Sequence, residues 1–163
     1  MSFAAPALSG TKPEQYAELA SQLGGLMADE RDFIANAANM AALIYTQLDG
    51  LNWAGLYLMR SGELVLGPFQ GKPACIRIPL GRGVCGTAAA TRETQVVADV
   101  HAFPGHIACD ADSRSEIVVP LLRDGVIIGV LDLDSPRPGR FDEGDRAGLE
   151  ALAALFLDAS DDF

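Results

Sequence analysis

The stretch IVVPLLRDGVIIGVLDLD, residues 117–134, decides the fold. It consists of two apolar runs, residues 117–122 and 126–133, separated by the polar turn Arg123-Asp124-Gly125. Two runs of strand length around a glycine-containing turn are typical of a β-hairpin. We therefore predict two adjacent antiparallel strands here.

A second hairpin is predicted upstream, from Trp53 to Arg60 through Ser61-Gly62 into residues 63–66. Shorter strands are expected at residues 76–80 and 95–98, and an alanine-rich helix at residues 87–91 lies between them in the chain. Because no crossover helix separates the two strands of either hairpin, the strands are expected to form one antiparallel sheet.

Three longer helices flank these strands. Thr11 as a cap, a proline in the first turn and Glu14 predict a helix start, and Gly24-Gly25 is expected to end that helix. Two further helices, over residues 29–48 and 142–157, carry apolar residues at helical spacing. The predicted fold class is α+β, a central antiparallel sheet with the N- and C-terminal helices packed on one face.

Composition limits the range of partners and locations. The 163 residues correspond to one domain, expected over residues 11–160 after a flexible leader at residues 1–10. A formal net charge of -10 without a basic stripe argues against nucleic acid. The sequence has neither an apolar run of ~18 residues nor a signal peptide, which argues against a membrane protein and against export. A cytoplasmic location with reduced thiols is the expectation.

All three cysteines and both histidines fall within residues 67–116. A lone cysteine is often a small buried hydrophobe, but apolar packing explains Cys109 poorly because its loop is rich in Gly, Pro and Asp. An odd number of cysteines without a Cys-x-x-Cys pair argues against a disulfide framework. Although His101, His106 and Cys109 lie close in sequence, their spacing matches no strong zinc pattern, and we predict no metal site.

Three acidic residues are the second unusual feature. Asp132 and Asp134 alternate with leucines and so share one face of their strand, and Glu116 opens the partner strand. One interpretation is a solvated face at the open end of the hairpin. The other is a half-buried pocket whose carboxylates raise one another's pKa and favour a small cation such as an ammonium group. Trp53 is either a core residue or an apolar wall of that pocket.

Several segments, in this order and spacing, resemble the free methionine-(R)-sulfoxide reductases, small single-domain proteins of the GAF fold. The resemblance covers about residues 12–157. The matching segments are Asn52-Trp53-Ala54-Gly55-Leu56-Tyr57, Gly67-Pro68-Phe69-Gln70-Gly71, Cys75-Ile76-Arg77-Ile78, Gly81-Arg82-Gly83-Val84-Cys85-Gly86-Thr87-Ala88, residues 99–119 and Asp132-Leu133-Asp134.

The resemblance implies a GAF-like catalytic domain over residues 11–160 and a role for each thiol. It implies that Cys109 attacks the substrate and that Cys75 and Cys85 serve recycling; either could resolve the Cys109 sulfenic acid, with Cys75 ranked first. Glu116 is the expected proton donor, with Asp134 as the alternative. The expected substrate-binding residues are Trp53, Tyr57, Ile107, Ala108, Glu116, Asp132 and Asp134, with backbone N–H groups of the Cys109 loop holding the substrate carboxylate.

The implied activity is reduction of free methionine-(R)-sulfoxide through an intramolecular disulfide, with thioredoxin as external reductant and no cofactor. Restriction to the free amino acid follows if the carboxylates need an ammonium partner. The alternative is a GAF-type module that senses a small ligand without catalysis, since a fold alone does not determine function. A homodimer is a further expectation from the GAF resemblance.

Overall fold

The computed structural model describes residues 3–107 and 109–163. These residues contain six strands: β1 (Trp53–Arg60), β2 (Glu63–Gly71), β3 (Arg77–Pro79), β4 (Gln95–Val97), β5 (Ser115–Arg123) and β6 (Val126–Ser135). The strands form one antiparallel sheet in the order β3-β2-β1-β6-β5-β4. The helices are α1 (Lys12–Leu26), α2 (Phe33–Gln47), α3 (Gly83–Thr91) and α4 (Glu143–Ala159). The predicted α+β class is confirmed.

Both predicted hairpins close through two-residue turns. The φ angles are 52° and 85° at Ser61 and Gly62, and 52° and 77° at Asp124 and Gly125. Positive φ at both central residues matches the twist of the flanking strands, which is why Asp-Gly and similar pairs are preferred there. In the sheet, β6 lies between β5 and β1, so that β1 and β6 are the two middle strands.

Alternation along the central strands gives the sheet two different faces. Ile117, Val119 and Leu121 of β5 and Leu131 and Leu133 of β6 join the core under α1, α2 and α4. The intervening side chains face the opposite side, where α3 packs with the long loop after β4. The terminal helices therefore cover one face and leave the other for a site.

Capping residues set the helix boundaries, and two predicted boundaries were wrong. Helix α1 continues through Gly24-Gly25 to Leu26, because a glycine inside a helix lowers stability without ending it. Helix α2 begins at Phe33 rather than at residue 29, since the Asp32 side chain accepts a hydrogen bond from the Ala35 N–H at 2.8 Å.

A buried carboxylate ties α1 to α4 on the helix-covered face. Asp145 is 1% exposed. It accepts a hydrogen bond from the Tyr16 hydroxyl at 2.7 Å and one from Lys12 Nζ at 2.9 Å. The backbone N–H of Asp142 donates to it at 2.9 Å, completing a capping box. This carboxylate is fully partnered, as buried charges require.

Helix α3 begins at Gly83 rather than at the predicted residue 87, so its first turn is made by a glycine-rich segment. Gly83 has φ +63°, a value that favours glycine. A side chain at Gly86 would place its Cβ 2.5 Å from the Pro79 carbonyl oxygen, so glycine lets the helix approach the end of β3. These two glycines bring Cys85 onto the open face of the sheet.

The leader lies against the helices. The Pro6 carbonyl accepts hydrogen bonds from Gln22 Nε2 at 3.1 Å and Gln47 Nε2 at 2.9 Å. Flexibility of residues 1–10 stays a prediction, and residues 1 and 2 lie outside the described part. Among the described residues, no helix combines the length and apolar character needed to cross a membrane.

Candidate active site

A cavity opens on the face of the sheet opposite α1, α2 and α4. Together with the solvent at its open mouth, it encloses about 560 Å³ of empty space. Strands β1, β5 and β6 form its floor, α3 forms one side, and the loop between β4 and β5 forms another. The predicted site residues that line it are Trp53, Tyr57, Cys85, Ile107, Cys109, Glu116, Asp132 and Asp134.

The structure brings the three cysteines to this region. Cys75 and Cys109 form a disulfide with their Cα atoms 5.5 Å apart. Cys85 keeps a free thiol and is 4% exposed. Of the two candidate resolving residues, it is therefore Cys75 that is bonded to Cys109. Ala108 lies outside the described residues.

Polar contacts hold the Cys109 loop over the cavity. Asn52 Nδ2 donates to Asp110 Oδ2 at 3.2 Å and to Ser113 Oγ at 3.1 Å. Lys72 and Asp112 form an exposed ion pair at 3.0 Å, linking this loop to the segment that carries Cys75. The loop is thus anchored from the start of β1 and from the end of β2, in addition to the disulfide.

Strand register collects the three carboxylates. Glu116 on β5 lies opposite Asp134 on β6, and Trp53 on β1 also pairs with Asp134. Asp132 is two residues before Asp134 and shares its face. Glu116 and Asp132 are each 5% exposed, and Asp134 is half-buried. The predicted pocket of carboxylates therefore exists, and the solvated-face interpretation is wrong.

Burial and mutual repulsion make these acids less acidic. Burial, then the Asp132 and Asp134 carboxylates, hold the pKa of Glu116 well above its usual range. Burial raises the pKa of Asp132 to about 6, although contacts with Glu116 and Cys85 oppose the shift. Burial, then Asp132 and Asp110, raise the pKa of Asp134. The floor of the cavity can therefore hold a proton near neutral pH.

The Cys85 thiol lies among these acids. Its Sγ donates to Glu116 Oε1 at 3.8 Å. Burial, followed by the charges of Asp132 and Glu116, raises its pKa well above the ordinary thiol value. A thiol with so little thiolate character is a weak nucleophile.

An aromatic wall faces the acids. Trp53 stacks on Tyr57 at 5.8 Å and on Phe69 at 5.2 Å between ring centroids. The Trp53 indole N–H donates to the Lys72 carbonyl at 3.2 Å, and the Tyr57 hydroxyl donates to the Cys75 carbonyl at 2.9 Å. Trp53 and Tyr57 therefore combine an apolar wall with support for the segment that carries Cys75.

Three basic side chains that the sequence did not place in the site also line the cavity: Lys72, Arg82 and His106. Burial, then His101, lowers the pKa of His106. Lys72 and His106 lie on loops and Arg82 lies at the start of α3, so no sequence periodicity predicts where their side chains point. The glycines on either side of Arg82 were the sequence feature that could have indicated a site there. The Cys109 N–H, expected to bind a carboxylate, donates to the Ile107 carbonyl at 3.1 Å.

Comparison with known proteins identifies the family. The GAF domain family model matches residues 29–157. The free methionine-R-sulfoxide reductase of Escherichia coli (strain K12) is 57% identical over 143 residues, covering 88% of this chain and 87% of that protein.

Two solved structures are similar over nearly the whole chain. The free methionine-R-sulfoxide reductase of Neisseria meningitidis, in complex with its substrate, superposes with a TM-score of 0.92 at 49% identity, covering 96% of this chain and 94% of that one. A GAF protein of Burkholderia vietnamiensis described as a sensor superposes with a TM-score of 0.90 at 63% identity, covering 93% and 96%.

Proposed function

This chain belongs to the GAF-domain family of free methionine-R-sulfoxide reductases, and we propose that it reduces free methionine-R-sulfoxide to methionine with its own thiols. The observation that carries the proposal is the disulfide between Cys75 and Cys109 beside a cavity lined by Glu116, Asp132 and Asp134. A redox-active thiol pair and an acidic amino-acid pocket are the two parts that this reaction needs.

The cavity matches a free amino acid. The acidic floor suits the substrate ammonium group, and the Trp53 wall suits its S-methyl end. A methionine within a peptide lacks that ammonium group and would leave buried carboxylates unpaired, which explains restriction to the free amino acid. The stereochemical preference at sulfur follows from the family alone.

Each step of the reaction has a residue to perform it. Cys109 attacks the sulfoxide sulfur as a thiolate. Glu116, whose raised pKa favours its protonated form, donates a proton to the sulfoxide oxygen, with Asp134 as the alternative donor. The bond between the two sulfurs then breaks as the protonated oxygen passes from the substrate sulfur to the Cys109 sulfur, so methionine leaves and Cys109 becomes a sulfenic acid. The Cys75 thiol then displaces water from it and forms the disulfide.

Recognition of the substrate carboxylate has two groups of candidates. The backbone N–H groups of Ile107, Ala108 and Cys109, expected from the sequence, are one group; of these, the Cys109 N–H donates to the Ile107 carbonyl while the disulfide is closed. Arg82 and Lys72 add positive charge at the same cavity. A guanidinium binds a carboxylate through two parallel hydrogen bonds, which favours Arg82 of these two side chains.

The closed disulfide needs an external reductant before the next turnover. Thioredoxin restores the thiols by exchange with the Cys75–Cys109 disulfide, in the cytoplasm and without a cofactor. Cys85 is the lesser candidate for the resolving role, because it is buried and its thiol pKa is raised. A homodimer is proposed from the GAF resemblance.

Mass spectrometry after one equivalent of free methionine-R-sulfoxide tests this chemistry. Reduced wild-type protein is expected to yield one methionine and one Cys75–Cys109 disulfide per chain. Cys109→Ser should lose activity by at least about a thousandfold, because no other thiol replaces the nucleophile. Cys75→Ser should release one methionine and then stall with thioredoxin.

The S epimer of the sulfoxide serves as the control and should give no disulfide. Normal cycling of Cys75→Ser together with arrest of Cys85→Ser would reverse the assignment of the resolving residue. Binding of the sulfoxide without methionine release by fully reduced protein would contradict catalysis and favour the sensor alternative, which the description of the Burkholderia protein also suggests.

A further inference from the structure

The cavity floor brings one thiol and two carboxylates within reach of a single ion. Cys85 Sγ and one carboxylate oxygen from each of Glu116 and Asp132 all lie within 4.8 Å of one another. The three residues come from α3, β5 and β6 and are all buried. Because these three residues are far apart in sequence, no short spacing motif predicts the cluster.

An unpartnered oxygen points to a ligand in this cluster. Oδ1 of Asp132 is buried and has no hydrogen-bond partner among the described residues. A buried carboxylate oxygen without a donor is unfavourable, and a cation is the kind of ligand that relieves it. Cys85 is also a free thiol, outside the Cys75–Cys109 disulfide.

We propose that Cys85, Glu116 and Asp132 form a binding site for one thiophilic divalent cation, with Zn²⁺ as the biological ion of matching chemistry. Zinc binds thiolate sulfur at about 2.3 Å and carboxylate oxygen at about 2.0–2.2 Å. Ligand atoms separated by at most 4.8 Å converge on such an ion after small side-chain rotations. The Cys85 proton and the proton held by Glu116 pass to solvent as the thiolate and the carboxylate bind the ion.

The ligand set distinguishes between cations. Mg²⁺ and Ca²⁺ prefer oxygen ligands and gain little from a thiolate, whereas Zn²⁺ and Cd²⁺ combine sulfur with carboxylate. The cluster borders the open cavity, so the fourth position of a tetrahedral ion is available to water.

The bound cation would exclude the substrate, because its ligands Glu116 and Asp132 belong to the acidic cavity floor that the substrate occupies. This consequence rests on the proposed function and makes the cation an inhibitor that competes with free methionine sulfoxide. The cation site itself does not depend on reductase activity.

The oxidised protein provides a specific test. The chain has three cysteines, so with Cys75 and Cys109 joined, Cys85 is the one thiol that can bind metal. Metal-free oxidised protein is titrated with Cd²⁺ alone, followed by its thiolate-to-metal ultraviolet absorption, and with Zn²⁺ alone by calorimetry. One equivalent of either ion is expected to bind, with the absorption band appearing for Cd²⁺.

Matched variants test the ligand set. Cys85→Ser should remove the Cd²⁺ band, and Asp132→Asn should keep the thiol but weaken binding by about tenfold or more, since even outer partners of a metal contribute about 10- to 100-fold. Asp124→Asn, at the exposed hairpin turn, should bind like wild type. Thermal melting confirms folding, and Glu116→Gln replaces any variant that does not fold, with the same expected weakening.

Absence of the band in oxidised wild-type protein would overturn the proposal. Equal Cd²⁺ affinity in wild type, Asp132→Asn and Glu116→Gln would also overturn it, because a lone thiol would then explain the binding. Failure of the reductase assay leaves these titrations unaffected, so the two proposals can fail separately.

Discussion

The two faces of the sheet are formed by the same strands, but one is an apolar core and the other lines a polar cavity. On the helix-covered face, Leu131 and Leu133 are completely buried in an apolar core. On the open face of the same strand, Asp132 and Asp134 line a cavity with raised pKa values. Alternation along one strand therefore separates residues that stabilise the fold from residues placed for chemistry.

Two buried carboxylates, one on each side of the sheet, differ in the same way. Asp145, under the helices, is partnered by Tyr16, Lys12 and the Asp142 N–H. Asp132, in the cavity, keeps one oxygen without a partner among the described residues. A satisfied buried charge holds elements together, whereas an unsatisfied one is retained at a cost in stability, as expected at a binding site.

The largest expected effect is on the helix-covered face. Leu131→Ala should lower the free energy of unfolding by about 2–5 kcal/mol, because it leaves a cavity in the core. The KM for free methionine-R-sulfoxide should stay unchanged at a temperature well below the melting transition. Urea unfolding and steady-state kinetics on the same preparation check both. A large rise in KM with normal stability would break the division between the faces.

A substitution at the next residue, on the open face, should increase stability instead of lowering it. Asp132→Asn should raise the free energy of unfolding by about 2–3 kcal/mol at pH 8, since it removes a carboxylate whose pKa is raised from 3.8 to about 6. Burial disfavours the charged form of Asp132, which exists in the folded protein above pH about 6. The increase in the free energy of unfolding of the variant is therefore complete above that pH and disappears toward pH 3.8. Urea unfolding across this pH range measures it.

The same variant should lose substrate affinity. Its KM should rise about 10- to 100-fold, the value of one charged hydrogen bond. The wild-type KM should itself rise as the pH falls through about 6, when Asp132 takes up a proton. As a matched control, Asp145→Asn should lose stability by about 1–3 kcal/mol and keep its KM. If Asp132→Asn and Asp145→Asn both stabilised the fold, hydrogen-bond partners would not explain the difference between the two carboxylates.

The smallest expected effect sharpens the comparison. Tyr16→Phe removes a single hydrogen bond to Asp145 and should lower the free energy of unfolding by about 0.5–1.5 kcal/mol. Lys12 and the Asp142 N–H remain as partners, so the charge stays compensated. Thermal or urea unfolding resolves this difference, and unchanged kinetics are expected. A loss above about 3 kcal/mol would mean that the Asp145 network depends on the hydroxyl cooperatively.

Much of the site was predictable because strand periodicity is a local property. Alternation alone placed Asp132 and Asp134 on one face, and the hairpin turn placed Glu116 beside them. The family resemblance singled out Cys109 among three thiols. The contributions of Lys72, Arg82 and His106 were missed, because loop side chains take their direction from distant contacts such as the anchoring of Asp110 and Ser113 by Asn52.

The sequence by itself determined the order of the elements, the two hairpins and the faces of the central strands, since turn chemistry and period-two alternation act between near neighbours. The tertiary structure decided which thiols meet, which acid remains unpartnered and where α3 begins. Those outcomes depend on contacts between residues far apart in the chain: Cys75 with Cys109, Cys85 with Glu116, and Gly86 against Pro79. Sequence patterns such as strand alternation relate only near neighbours, so they do not predict contacts between residues that folding brings together from distant parts of the chain.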